Sequence, residues 1–130
     1  MTYEHSSCVL LADSHHSLTE GVRGLLETAF GAVIMVADEA SLLEGARRVQ
    51  PDVAVVDLSL ARHGDLDWLR ALRQRCLGMK VVVLSVHDEE CVRQAALAAG
   101  ADAYVLKRSI ATDLLAAVEA VRGDQRGGEK

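Results

Sequence analysis

Five short apolar runs punctuate an otherwise mixed chain: CVLLA from Cys8, VIMVA from Val33, VAVV from Val53, VVVL from Val81 and AYVL from Ala103. Their first residues lie between 20 and 28 positions apart, which leaves room each time for a helix and two short loops. The runs are continuous, not alternating, as strands buried on both faces of a parallel sheet require. Strands that alternate with helices in this way predict an α/β sandwich.

The intervening segments have helical spacing. Leu18, Val22, Leu25, Leu26 and Ala29 form one apolar stripe, and Ser17 with Glu20 has capping-box spacing at its start. Ser41 and Glu44 repeat that spacing near the second helix, and Pro51 marks the exit into the third strand. Leu66, Leu69 and Leu72 belong to a third helix. The fourth, from about Glu89 to Ala99, is rich in alanine, with only Val92 and Leu97 as larger apolar residues, and Gly100 stands where a helix end favours a left-handed residue. Leu114, Val118 and Val121, with Leu115 beside them, predict a fifth. Beyond Arg122 the sequence GDQRGGEK has too few apolar residues to bury anything, so residues 1–122 are expected to form the domain and 123–130 a flexible linker or tail.

Composition narrows the class. A chain of 130 residues is one domain's worth. Half of the residues are hydrophobic but only 3% are aromatic, so the core must be built from Val, Leu, Ile and Ala. Fourteen Lys and Arg against nineteen Asp and Glu leave a formal charge of −5, which repels a phosphate backbone and makes this segment a poor nucleic-acid binder by itself. Cys8, Cys76 and Cys91 are widely spaced in apolar sequence and read as reduced, buried thiols. With no charged-then-apolar leader and no run of ~18 apolar residues, the expected location is the cytoplasm, with no membrane partner.

The chemistry gathers where the apolar runs end. In an open parallel sheet, ligands lie outside the carboxyl ends of the strands. Asp13 follows the first run, Asp57 the third, Ser85 the fourth and Lys107 the fifth; Asp38, after the second, would lie at the sheet edge. Singly, each has a plain structural role open to it: Asp13, Asp38 or Ser85 as a helix cap, Lys107 as a solvated surface lysine. Jointly, two carboxylates, a hydroxyl and an ammonium at one mouth suit a hard divalent cation such as Mg²⁺ and a phosphoryl group, which a carboxylate can attack to form an acyl phosphate.

The stretches ADSHHSLTEGVRGLLE, PDVAVVDLSLARHGDLDWLRALR, VVVLSVHDEECVRQAALAAGADAYVLK and LLAAVEAV together resemble the receiver domain of bacterial two-component response regulators, from about Cys8 to Arg122. The branch they are most similar to joins a receiver to a LuxR-type helix-turn-helix domain (LuxR/FixJ/NarL type). The resemblance implies a flavodoxin-like, doubly wound five-stranded parallel sheet of order 2-1-3-4-5 with five helices. It implies Asp57 as the phosphoacceptor for a histidine kinase. It further implies Mg²⁺ on Asp13, Asp57 and the backbone carbonyl of Ser59, Lys107 and Ser85 as phosphoryl-binding groups, and Tyr104 as an aromatic that moves inward with the Ser85 hydroxyl. Val86 and His87, just after Ser85, would modulate access. The implied partners are a sensor kinase, a second copy in a homodimer, and DNA only through a C-terminal output domain outside this chain. The chain would then be no enzyme, beyond self-catalysed phosphotransfer and autodephosphorylation.

Five positions depart from the family pattern. Ser14 stands where a second acidic residue is usual, which predicts weakly bound Mg²⁺ and slower phosphotransfer. Ala61 replaces a proline and Gly64-Asp65 reverses the usual pair, which predicts a looser or differently bent loop; Val86 replaces a small residue and narrows the path for donor or water, which predicts a long-lived acyl phosphate. His15, His16, His63 and His87 fall in loops at the same sheet end, but without close ligand spacing for a transition metal. The runner-up is a pseudo-receiver, an interaction module that works without phosphorylation. An aspartate-dependent phosphatase would need a second Asp where Ser59 stands, and SHHSLTEG lacks the phosphate loop of a flavin module.

Overall fold

The computed structural model describes residues 7–13, 16–60, 66–76 and 78–127; of 16–19 and 123–127 it describes the backbone only. Across them, strands and helices alternate: β1 Cys8–Ala12, α1 His16–Glu27, β2 Ala32–Val36, α2 Glu39–Val49, β3 Val53–Asp57, α3 Asp67–Arg75, β4 Lys80–Ser85, α4 Glu90–Ala99, β5 Ala103–Leu106 and α5 Ile110–Gly127. Single 3₁₀ turns, Leu58–Leu60 and Lys107–Ser109, follow β3 and β5. The strands form one parallel sheet of order β2-β1-β3-β4-β5, as the family resemblance implied.

Two apolar layers explain the continuous runs. Leu10, Ala12, Ala54, Val56, Val81 and Val83 face one way, against Leu42 and Ala46 of α2, Trp68, Leu69 and Leu72 of α3, and Ala96 and Ala99 of α4. The alternate positions Val9, Leu11, Val53, Val55, Val82, Leu84 and Val105 face the other way, against Val22 and Leu26 of α1 and Leu114, Val118 and Val121 of α5. A strand covered on both sides has no polar face to show. β2 is the exception: at the sheet edge Ala32 and Met35 are exposed.

Several local expectations shift. Helix α1 starts at His16, so Ser17 lies inside its first turn and not before it, and the Ser17–Glu20 capping box is not the helix start. In α2 the cap is Asp38, whose carboxylate accepts from Ser41 N at 2.8 Å; Ser41 is thus the capped position, not the cap. The α4 residues that reach the core are Ala96 and Ala99, because small side chains let that helix lie close to the sheet. Helix α5 runs to Gly127, past the Arg122 boundary expected for the domain. Cys91 is exposed, contrary to expectation, while Cys76 is buried and Cys8 half-buried. Burial raises both of the latter thiols, aided at Cys8 by the charge of Asp52 and opposed at Cys76 by Arg75. No helix among the described residues is long and apolar enough to cross a membrane.

Gly100 ends α4 at φ 125° as expected, and its hydrogen position faces Arg73. That guanidinium donates to the Met79 carbonyl and pairs with Asp102 at 3.2 Å, while Asp102 also accepts from Val81 N at 2.8 Å. A Cβ at position 100 would overlap the Cγ of Arg73 and strain the backbone. Gly100→Ala should therefore lower unfolding free energy by about 2 kcal/mol in urea titration; a change below about 0.5 kcal/mol would mean that the arginine clamp yields freely.

Candidate functional site

The parallel register brings the site together. Leu11 pairs with Val55 and Ala12 with Val56, so the next residues, Asp13 and Asp57, leave adjacent strands side by side. Asp57 pairs across to Leu84, and Ser85 to Leu106, which places Ser85 and Lys107 at the same end. Asp13, Asp57 and Ser85 are the buried polar residues among those described, at 5%, 0% and 1% exposure. A polar residue excluded from water in this way needs partners.

Asp57 has several. The Lys107 ammonium donates to its Oδ2 at 2.6 Å, and the Ser59 backbone N–H donates to its Oδ1 at 3.0 Å. Asp13 adds a side-chain hydrogen bond. Burial by itself pushes the Asp57 carboxyl up. The Lys107 bond, the Ser59 N–H, the Asp13 bond and the Lys107 charge together outweigh it and hold the group below the usual carboxylate range. Asp57 is thus an anion at neutral pH although it is fully enclosed. The lysine side chain is 13% exposed, so the pair is a buried one. Sequence reasoning assigned Ser59 through its carbonyl; the structure adds its N–H, which steadies the carboxylate.

The fourth strand end is occupied differently. Ser85 Oγ accepts from the His87 backbone N–H at 3.0 Å, and the Tyr104 hydroxyl donates to the His87 carbonyl at 2.7 Å. One loop residue is therefore held from both sides, by the two residues expected to move together. Arg108 pairs with Asp88 at 3.2 Å and ties the same loop to the turn after β5. The His87 ring is exposed and lies 3.6 Å from Glu89, and Val86 is 68% exposed. Ser14, His15, Ala61, His63, Gly64 and Asp65 lie outside the described residues, as does the His16 side chain.

A cavity of about 640 Å³ opens over Asp57, Ser59, Ser85 and Lys107 and continues toward α4. At the Asp13–Asp57 corner two touching buried carboxylates suit a hard divalent cation such as Mg²⁺. No group of three or more His, Cys, Asp or Glu side chains that could hold a metal occurs among the described residues, which include the side chain of only one of the four loop histidines, His87.

The model of the response regulator receiver domain matches residues 9–119. The chain belongs to that family. This receiver is 36% identical over 123 residues to the nitrate/nitrite response regulator NarP of Escherichia coli K12, a match covering 93% of the chain and 56% of that protein. Among solved structures, it superimposes on a LuxR-family two-component response regulator from Aurantimonas sp. SI85-9A1 with a TM-score of 0.81 at 30% identity, covering 88% of this chain and 84% of the other. The signal receiver domain of the response regulator NarL from Mycobacterium tuberculosis matches with a TM-score of 0.77 at 30% identity, over 95% and 98% of the two chains. The receiver is of the NarL/LuxR type, and it spans about half the length of the curated relatives it matches.

Proposed function

We propose that Asp57 accepts a phosphoryl group from a sensor histidine kinase, and that the change this causes reaches a DNA-binding output domain outside these 130 residues, through a homodimer. The observation that carries the reading is the buried Asp57 clamped by Lys107 beside Asp13 at the floor of an open cavity. Asp13, Asp57 and the Ser59 carbonyl would hold Mg²⁺, which would neutralise phosphoryl charge when bound. Weak binding follows from Ser14 in place of a second acid. An Asp57 carboxylate oxygen forms the new bond to phosphorus as the bond from phosphorus to the donor breaks, and the donor leaves with the electron pair. The Lys107 ammonium then has phosphoryl oxygens to pair with. No other covalent chemistry is asked of the chain, so it is a phosphoacceptor and not an enzyme.

The new group carries about two negative charges and three acceptor oxygens. Ser85, now bound to His87 N–H, can turn its hydroxyl to that group, which loosens His87 and the Tyr104 bond to its carbonyl. The loop into α4 is thereby released.

Incubation with acetyl phosphate and Mg²⁺ should add one phosphoryl mass to the peptide containing Asp57, with a requirement for Mg²⁺ above the millimolar level. After donor removal the label should persist, because Val86 crowds the water's approach. Absence of label with this donor and with a phosphorylated kinase would overturn the reading in favour of an interaction module that works without phosphorylation. Rapid loss of label would overturn the role given to Val86.

A further inference from the structure

The cavity is larger than the phosphoryl chemistry needs, and its far side is chemically different. Beyond the polar floor it is walled by Leu58, Leu66, Val86, Cys91, Val92 and Ala95, with His87 the one polar residue among them. On α4, Ala95 lies on the same face as Val92, three residues before it, and Cys91, four before it. The small side chain of Ala95 leaves the seam between α4 and Leu66 open. Val86 stays 68% exposed at its rim, with water on an apolar surface that no described residue covers. A volume of about 640 Å³ falls within the range of small-molecule sites, and an apolar wall with a few convergent polar groups is their usual composition.

We infer that this wall is a subsite for the hydrophobic part of a low-molecular-weight acyl phosphate, with the phosphoryl group at Asp57 and Lys107 and the acyl chain along Val86, Val92 and Ala95. The inference rests on the phosphoacceptor reading of Asp57. The charge pattern commits the occupant's orientation: the Lys107 ammonium is at one end of the cavity and the α4 wall carries no charged residue, so the anionic end faces the sheet and the apolar end faces the helix. In the transfer the Asp57 oxygen attacks phosphorus, the bond from phosphorus to the acyl oxygen breaks, and the carboxylate leaves with the electron pair. No co-reactant is required. Alkanoyl chains longer than acetyl would bury methylenes on the wall, and so the site would select donors by chain length.

The test compares acetyl, butanoyl and hexanoyl phosphate, whose leaving groups are nearly equal in reactivity, with Mg²⁺ present. Second-order rate constants for labelling Asp57 should rise about tenfold from acetyl to butanoyl, the yield of two partly buried methylenes. In Ala95→Gln, where a longer polar side chain enters the groove from an exposed helix position, the ratio of the two constants should collapse toward one. Binding is read without transfer from amide chemical shifts with pentylphosphonate and methylphosphonate. The pentyl compound should bind at least tenfold tighter and shift Val92 and Ala95. A flat series with all three donors active would overturn the subsite and leave the phosphoacceptor reading standing. A chain-length effect unchanged in Ala95→Gln would also overturn it. If neither these donors nor a phosphorylated kinase labels Asp57, the phosphoacceptor reading falls; labelling by the kinase alone, or equal binding of the two phosphonates, overturns the subsite and leaves that reading standing.

Discussion

Asp57→Asn is expected to take up no phosphoryl group from any donor while keeping the wild-type circular dichroism spectrum. The amide has nearly the shape of the carboxylate, so the packing at the end of β3 survives, and its oxygen still accepts from the Ser59 N–H that now meets Oδ1 at 3.0 Å. It lacks the charge that makes an oxygen nucleophilic toward phosphorus. The metal site would lose one of two touching carboxylates, and its Mg²⁺ affinity should fall by at least about tenfold, or about 1.4 kcal/mol. Intact-mass measurement and calorimetric titration check both parts. A label that persists on the variant would move the acceptor to another residue, and unchanged Mg²⁺ affinity would remove Asp57 from the metal site.

Lys107→Ala should cost the most stability of any single change at the site, about 3–5 kcal/mol in EDTA at neutral pH, because it leaves a fully enclosed carboxylate without its cation. The pair is buried on both sides, so solvent screening does little to reduce the cost. The pH dependence has a definite sign. The folded state holds the Asp57 carboxyl below its ordinary value. Its stabilisation is therefore complete above the unfolded-state value and is lost as pH falls through the lower folded-state value. Without Lys107 two of the four contributions that oppose burial are gone, and the carboxyl moves up from its low folded-state value. The stability difference between wild type and variant should thus be largest near pH 7 and shrink steadily as the pH is lowered through the carboxylate range. Urea titrations at both ends of that range measure it. A difference independent of pH would assign the loss to packing of the lysine stem instead of its charge.

Most of the site could be read from the chain because it is tied to strand ends. Each apolar run states where a strand stops, and a polar residue at that point has few places to go in a parallel sheet. Asp13, Asp57, Ser85 and Lys107 were found in this way, and all four meet at one end. What escaped were contacts made by the backbone. The Ser59 N–H on Asp57, and the double hold of Ser85 and Tyr104 on His87, follow from turn geometry after β3 and β4 that residue types do not encode. Similarly, Asp38 could be named as a possible cap, but whether it or Ser41 begins α2 depends on where the chain leaves β2.

The hydrophobic pattern by itself determined the alternation of strands and helices and the burial of the sheet on both faces, since backbone hydrogen bonding and apolar burial act on local sequence with fixed periods. Strand order came from family resemblance, and only the three-dimensional arrangement settled its physical effects. Being at the edge exposes Met35 of an apolar run, and close approach to the sheet makes Ala96 and Ala99 the buried face of α4. The same arrangement leaves the groove beside Ala95 open. It also decided that Asp57 is ionised though enclosed: burial and Lys107 oppose each other, and only their distances, 2.6 Å for the ion pair among them, decide which prevails.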